Sequence, residues 1–283
     1  VLYIRERILR ASLGWDWHNP IHEVVQCKSP NIRFVRDDRV IIKHNHLAGE
    51  PRHERNFRIL NKWIAEEPNN VRIWLYLGHQ NMAGGNFKDA AKWYIRFGQS
   101  QGAPIERYQA LCYATKALRA LNRPMDAVNT ALIAYELYPS YKDAILELGF
   151  CYTQIGDMDK ALHFFHLSEQ AQLITEPPPV IFINPMDYTF NKLMAMSNCY
   201  LHKSDYREAS ICLEEAYKIR PISELDMQRA QFRELNIRSD VVKGIQALAL
   251  NLLNIGELAK LRSMYEVLPF WFKDLPQFLE LAG

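Results

Sequence analysis

The chain has 283 residues, with 34 Lys plus Arg set against 32 Asp plus Glu for a formal net charge of +2. A composition that is 48% hydrophobic, with 14 Tyr, 13 Phe and 6 Trp, excludes a chain disordered over most of its length. The near-neutral balance argues against a dedicated nucleic-acid binder, whose usual footprint is a basic stripe, and no apolar run approaches the roughly 20 residues that span a bilayer.

The length permits one elongated repeat domain or two compact ones. The five cysteines are odd in number and form no CxxC pair. Small buried thiols in a reducing, cytoplasmic setting fit this better than a disulfide framework or a zinc site. No signal peptide is visible. The first residue is Val1, so the chain is expected to be a piece of a longer polypeptide.

Residues 1–50 stand apart from the rest of the chain. Ile4, Ile8 and Leu9, with charged residues between them, predict a short amphipathic helix over Tyr3–Leu13 that ends at Gly14. A Trp- and His-rich loop is expected next (Trp15, Trp17, His18, His22). Two short strands are then expected at Ile32–Val35 and Val40–Ile42, around an Asp37–Asp38 turn.

From Pro51 to Glu67 a helix is predicted, with Phe57, Leu60, Trp63 and Ile64 on one face and Pro68 ending it. Full helix pairs should run from Val71 to Gln101, Tyr108 to Pro139, Lys142 to Leu173, and from Phe190 to Pro221. Their turns fall at Gly84-Gly85-Asn86, Gly156-Asp157 and Ser204-Asp205. An insertion near 174–189 interrupts them. There Pro177-Pro178-Pro179 forces extended backbone, and the apolar run Val180–Ile183 is expected to lie against the helices. A degenerate fifth pair is placed from Val241 to Leu268, followed by an end too apolar to face water unassisted.

The pairs superimpose at a period of about 34 residues. Ala90, Ala127, Ala161 and Ala209 are the anchors. Eleven or twelve residues before each comes Gly78, Thr115, Gly149 or Ser197, and four after comes Tyr94, Ala131, Phe165 or Leu213. Small residues let two helices approach, large ones fill the gap, and Pro139 and Pro221 stop the second helix. This pattern resembles the tetratricopeptide repeat. The resemblance implies an all-α fold, an α-α superhelix or solenoid over 51–283 with a small N-terminal α/β remnant over 1–50, and a binding surface rather than catalysis.

A second resemblance covers the front of the chain. Trp15-Asp16-Trp17-His18-Asn19-Pro20-Ile21-His22-Glu23 resembles the W-x-W-x-x-P-[VI]-H-E segment that closes the catalytic domain of inverting family-2 glycosyltransferases. Ile41–His44 and Glu54-Arg55-Asn56 resemble the strand and helix that follow it there, and the segment from Pro178 to Tyr188 resembles an insertion between that family's repeats. The resemblance implies a parent enzyme using a nucleotide sugar and a divalent metal, Mn or Mg. His22 would then sit on the donor and metal side, with Glu23 and Trp17 shaping the acceptor side. Residues 1–14 cannot supply a nucleotide-binding sheet, so this chain alone is expected to be non-catalytic. It would recruit a protein or peptide acceptor or hold two copies together.

Other constellations are weaker. His22-Glu23 lacks the second His of a zincin motif, because residue 26 is Gln26. His44, His46 and His53 have no carboxylate partner at ligand spacing. The arginines between Arg33 and Arg58 are interleaved with acids, which describes a mixed surface.

A site hypothesis also arises from the first helix of each pair, which lines the inner face of such stacks. That face would carry Arg72, Leu75, His79, Met82, Gln109, Lys116 and Arg119, then Asp143, Phe150, Asn191, Asn198 and His202. Its early part is basic and suits an extended peptide or anionic segment, with Lys116 and Arg119 pairing to carboxylates. A non-enzymatic adaptor or co-chaperone binding peptides in this groove is the alternative reading.

Overall fold

A computed structural model of the chain describes residues 9, 11–21, 24–27, 29, 32–33, 52–172 and 184–268. Two compact units emerge, Val1–Pro139 and Ser140–Gly283. Both are built from paired helices, and among the described residues the fold is all-α apart from one strand hairpin near the front.

In the first unit, the expected Trp- and His-rich loop is a strand. β1 (Trp15–His18) pairs antiparallel with β2 (Val24–Cys27), Trp15 opposite Cys27 and His18 opposite Val24. Trp favours a pleated surface, but four residues are too few for the alternation to stand out. Asn19 takes φ +68, a left-handed conformation that Asn tolerates, where the chain leaves β1. Of the helix expected over Tyr3–Leu13, a 3-10 turn at Ala11–Leu13 is described, ending at Gly14 with φ +66. Ile32 and Arg33 have no regular structure. The remainder of both expected strands, and His22, Glu23, His44 and His46, lie outside the described residues.

Ile21 fixes the hairpin to the helices. It is buried in one apolar cluster with Leu60 and Trp63 of α1 (Arg52–Glu66) and with Ile73, Tyr76 and Leu77 of α2 (Val71–Ala83). The pairs α2–α3 (Phe87–Gly98) and α4–α5 (Pro104–Ala120, Pro124–Leu137) follow, and α3 also packs on α4. α4 begins at Pro104, a turn before the expected Tyr108, because proline suits the first helical position where its missing N–H costs nothing.

The repeat turns share one chemistry. Gly85, Asn122, Gly156, Ser204 and Gly256 occupy equivalent places and all have positive φ, between +55 and +92. The next residue caps the following helix in three of these turns: Asn86, Asp157 and Asp205 accept from the backbone N–H of Asp89, Lys160 and Glu208.

In the second unit, α6 (Lys142–Ile155) and α7 (Met158–Gln170) form one pair, and α9 (Phe190–His202) and α10 (Tyr206–Ile219) the next. Leu146, Phe150, Phe165, Met196 and Cys199 make the core between them. Residues 173–183, including the apolar run Val180–Ile183, lie outside the described residues. The insertion's last part is a one-turn helix, α8 (Pro185–Tyr188), capped by Asn184. Tyr188 donates its hydroxyl hydrogen to Asp143 of α6, which fixes the end of the insertion on that helix.

The fifth pair begins earlier than its expected start at Val241. α11 runs unbroken from Glu224 to Asn254, 31 residues, before α12 (Leu258–Val267). Its first half buries Leu225 and Phe232 on the α10 side, and its second half buries Ala249 beside Leu261 and Met264. The two contact faces point in different directions, so no single hydrophobic stripe announces the helix from its start.

Candidate functional site

The best-formed polar and aromatic face among the described residues lies on α2 and α4 of the first unit. Helical spacing puts Arg72, Tyr76 and His79 on one side of α2, and Glu106, Gln109, Tyr113 and Lys116 on one side of α4. The structure joins the two. Arg72 forms an ion pair with Glu106, its guanidinium lying 5.7 Å from the Tyr76 ring centre. The His79 and Tyr113 rings meet edge to face, 6.0 Å apart. Lys116 lies 5.7 Å from the Tyr113 ring centre, a cation–π contact within the same helix.

Beneath this face, His79 Nδ1 is hydrogen-bonded to the Tyr94 hydroxyl of α3 at 2.7 Å. Tyr94 stacks on Tyr113, centres 5.6 Å apart. Burial, reinforced by neighbouring Tyr113, pushes the Tyr94 phenol well above its ordinary value, so it stays protonated and serves as a neutral hydrogen-bonding group. Gln109 is only 5% exposed, and its side-chain N–H group makes no hydrogen bond within the protein. A buried donor without an acceptor costs about 1–3 kcal/mol.

The residues expected on this face fare differently. Arg72, His79, Lys116 and Arg119 are half-buried, and contacts between α2 and α4 bring the first three onto one surface. Leu75 is a correction: it is fully buried and belongs to the core. Gln109 is more buried than a groove residue was expected to be. Tyr76, Glu106 and Tyr113, which the sequence reading missed, provide the contacts. The signal for Glu106 and Tyr113 was present in the helical ladder Glu106, Gln109, Tyr113, Lys116.

In the second unit Phe150 is likewise core, edge to face with Phe165 at 5.2 Å. Asp143 accepts from Tyr188, and Asn191 donates to Asp187 at 2.7 Å, so both help hold the insertion. Asn198 and His202 are exposed, one turn apart on α9.

Of the front motif, Trp17 is on β1, its indole 67% exposed. His22 and Glu23 lie outside the described residues. Among the described residues no three His, Cys, Asp or Glu side chains are grouped to hold a metal ion. No helix among them is long and apolar enough to cross a membrane.

No protein-family model and no curated protein matches this sequence. Several solved structures have a similar fold over part of it. TTC0263, a thermophilic TPR protein of Thermus thermophilus, is 17% identical with a TM-score of 0.44, covering 64% of this chain and 90% of its own. YrrB, described as a TPR protein with an unusual peptide-binding site, is 18% identical with a TM-score of 0.47, covering 63% and 84%. PilF of Pseudomonas aeruginosa is 14% identical, also at 0.47, covering 63% and 72%. These are likenesses of helical arrangement and say nothing of what this chain binds.

Proposed function

We propose that this chain is a protein-interaction scaffold whose first unit takes an extended acidic peptide along α2 and α4. The observation that carries the reading is the buried, unsatisfied side-chain amide of Gln109, one turn before Tyr113 on α4, whose ring the Lys116 ammonium overlies. A peptide carbonyl or carboxylate oxygen would accept from Gln109. The half-buried Tyr113 ring would cover the peptide's apolar surface, and Lys116 and Arg119 would pair with its acids. The chain itself catalyses nothing in this reading.

The test is fluorescence anisotropy against a panel of extended peptides graded from acidic to basic. Acidic peptides should bind most tightly. A Lys116→Glu/Arg119→Glu double variant should weaken them at least tenfold, and Gln109→Leu several-fold. Equal binding by the double variant sinks the proposal.

A second reading joins the scaffold to sugar transfer, with the repeats serving as the acceptor-recruiting tail of a family-2-like glycosyltransferase. One observation favours it. Ile21, inside the Trp15–Glu23 motif, is buried with α1 and α2, so a catalytic domain closed by this motif would be rigidly joined to the repeats. The nucleotide sugar and divalent metal would belong to that domain, with His22 and Glu23 at its edge. An Ile21→Asp variant of a longer chain carrying that domain should lose transfer to a protein acceptor while keeping donor hydrolysis. Unchanged transfer to the acceptor argues against this reading.

A further inference from the structure

The outer side of α3 carries three cations in line. Lys88, Lys92 and Arg96 recur at every fourth position, and all are exposed. Their side chains leave the helix on one side, at steps of about 6 Å along its axis. It is the side away from Ala90, Ala91, Tyr94 and Phe97, which are buried in the repeat. Like charges at this spacing repel one another. Elsewhere such charges are matched: Lys62, Arg123 and Lys160 each pair with an acid three or four residues away. Lys88, Lys92 and Arg96 have no acid partner among the described residues. Asp89, the one acid of α3, accepts instead from the Asn86 side chain at 2.8 Å.

Aromatic rings hold two of these cations in place. The Arg96 guanidinium lies over the Trp74 ring of α2, 4.0 Å from its centre, and 5.6 Å from the centre of the Trp93 ring. Lys92 lies 5.4 Å from the Trp93 ring centre. Trp93 is itself packed against the cluster of Leu60, Trp63 and Tyr76, so this platform is anchored in the core. A ring occupies one face of a guanidinium and leaves its N–H edge free for a planar acceptor. Among the described residues no acceptor meets the N–H groups of Arg96. Both tryptophans are half-buried, so a partner that covers the cations also covers apolar ring.

The spacing selects the partner. Acids at every fourth position of an α-helix lie on one line with the same step of about 6 Å, so a helix running beside α3 meets all three cations in register. On an extended strand alternate acids are about 6.8 Å apart, a mismatch of about 1.6 Å over two steps. We propose that the outer face of α3 docks an acidic helix of a partner protein, its carboxylates at every fourth residue pairing with Lys88, Lys92 and Arg96 and its apolar flank lying on Trp74 and Trp93. None of these residues belongs to the α2–α4 peptide face, so either surface can fail without the other.

The test uses the full chain and labelled peptides of about 20 residues, long enough to be helical, read by fluorescence anisotropy. An Ala- and Leu-based helix with Glu at every fourth position should bind at least tenfold more tightly than a peptide of the same composition with its Glu positions shuffled. Lys92→Glu/Arg96→Glu should abolish that preference with unchanged helicity by circular dichroism, and Lys116→Glu/Arg119→Glu, on the α2–α4 face, should keep it. Arg96→Lys, which keeps the charge and loses the planar fork, should bind several-fold more weakly. Equal binding of the shuffled peptide overturns the proposal, because the stripe is then a general polyanion surface. No binding at up to about 1 mM overturns it as well, and so does a preference that survives Lys92→Glu/Arg96→Glu. Capture by phosphatidylserine vesicles that is lost in that variant, without a preference for the in-register peptide, would mean a membrane surface and overturns it too.

Discussion

The ring of Phe165 occupies the space that a side chain at position 149 would need: a β-carbon added to Gly149 would lie 2.6 Å from it. The same relation holds between Gly78 and Tyr94. At equivalent places in the fourth repeat, Ser197 accompanies the smaller Leu213, and the Ser197 hydroxyl donates to the carbonyl of anchor Ala209 at 2.8 Å. Each repeat therefore trades bulk across the two helices of one pair.

Gly149→Ala should destabilise the fold by about 1–3 kcal/mol through overpacking against Phe165. Adding Phe165→Leu, the fourth repeat's solution, should recover part of that loss. A double-mutant cycle in urea measures it. Strict additivity would show that the two positions do not share one space.

Ser204 holds the left-handed place that Gly85, Gly156 and Gly256 fill in other repeats, at φ +59. A residue with a β-carbon is strained there, so Ser204→Gly should stabilise the chain by about 0.5–1 kcal/mol. Gly156→Ser should cost a similar amount. Both are read from shifts in melting temperature.

Glu214 lies between Arg229 and Arg233. The hydrogen bond from Arg229 does most to hold its carboxyl below the ordinary range, against the opposing effect of burial, with Arg233 assisting. Because its folded pKa is depressed, its contribution is present above the ordinary carboxylate pKa and is lost as pH falls through the folded one. Melting temperature should therefore fall less steeply below about pH 5 in Glu214→Gln than in the parent chain. Parallel profiles would show that the cluster contributes nothing.

The thiols should divide by burial. Burial, with nearby Glu208 and Glu215, pushes Cys212 up to about 11, and burial raises Cys199 as well. Cys27 is half-buried on β2. A thiol reagent at neutral pH should modify Cys27 first and reach Cys112, Cys151, Cys199 and Cys212 only as the helices unfold. Rapid labelling of four or five thiols in the native chain would contradict this burial.

Tyr94→Phe removes the hydroxyl beneath His79 while keeping the ring against Gly78. Its cost should be about 1–2 kcal/mol, with acidic-peptide affinity falling several-fold if His79 orientation shapes the site. Chemical denaturation and anisotropy on the same variant separate the two effects.

Much of the architecture was legible in the residues themselves, because helix pairing depends on local, repeated needs. These are a small residue facing a large one, a left-handed turn, a cap after it and a proline where the second helix stops. Gly78, Ala90, Gly156, Asp157 and Pro139 state those needs without reference to distant parts of the chain. Which side chains meet was decided only in three dimensions. Nothing in the order of residues says that Leu75 and Phe150 turn inward, that Glu106 reaches Arg72, that Tyr188 lands on Asp143, or that Ile21 seals a strand hairpin onto α1 and α2. The length of α11 was hidden for the same reason: its two halves bury different faces on different neighbours, so its hydrophobic period belongs to the assembled fold and not to the helix alone.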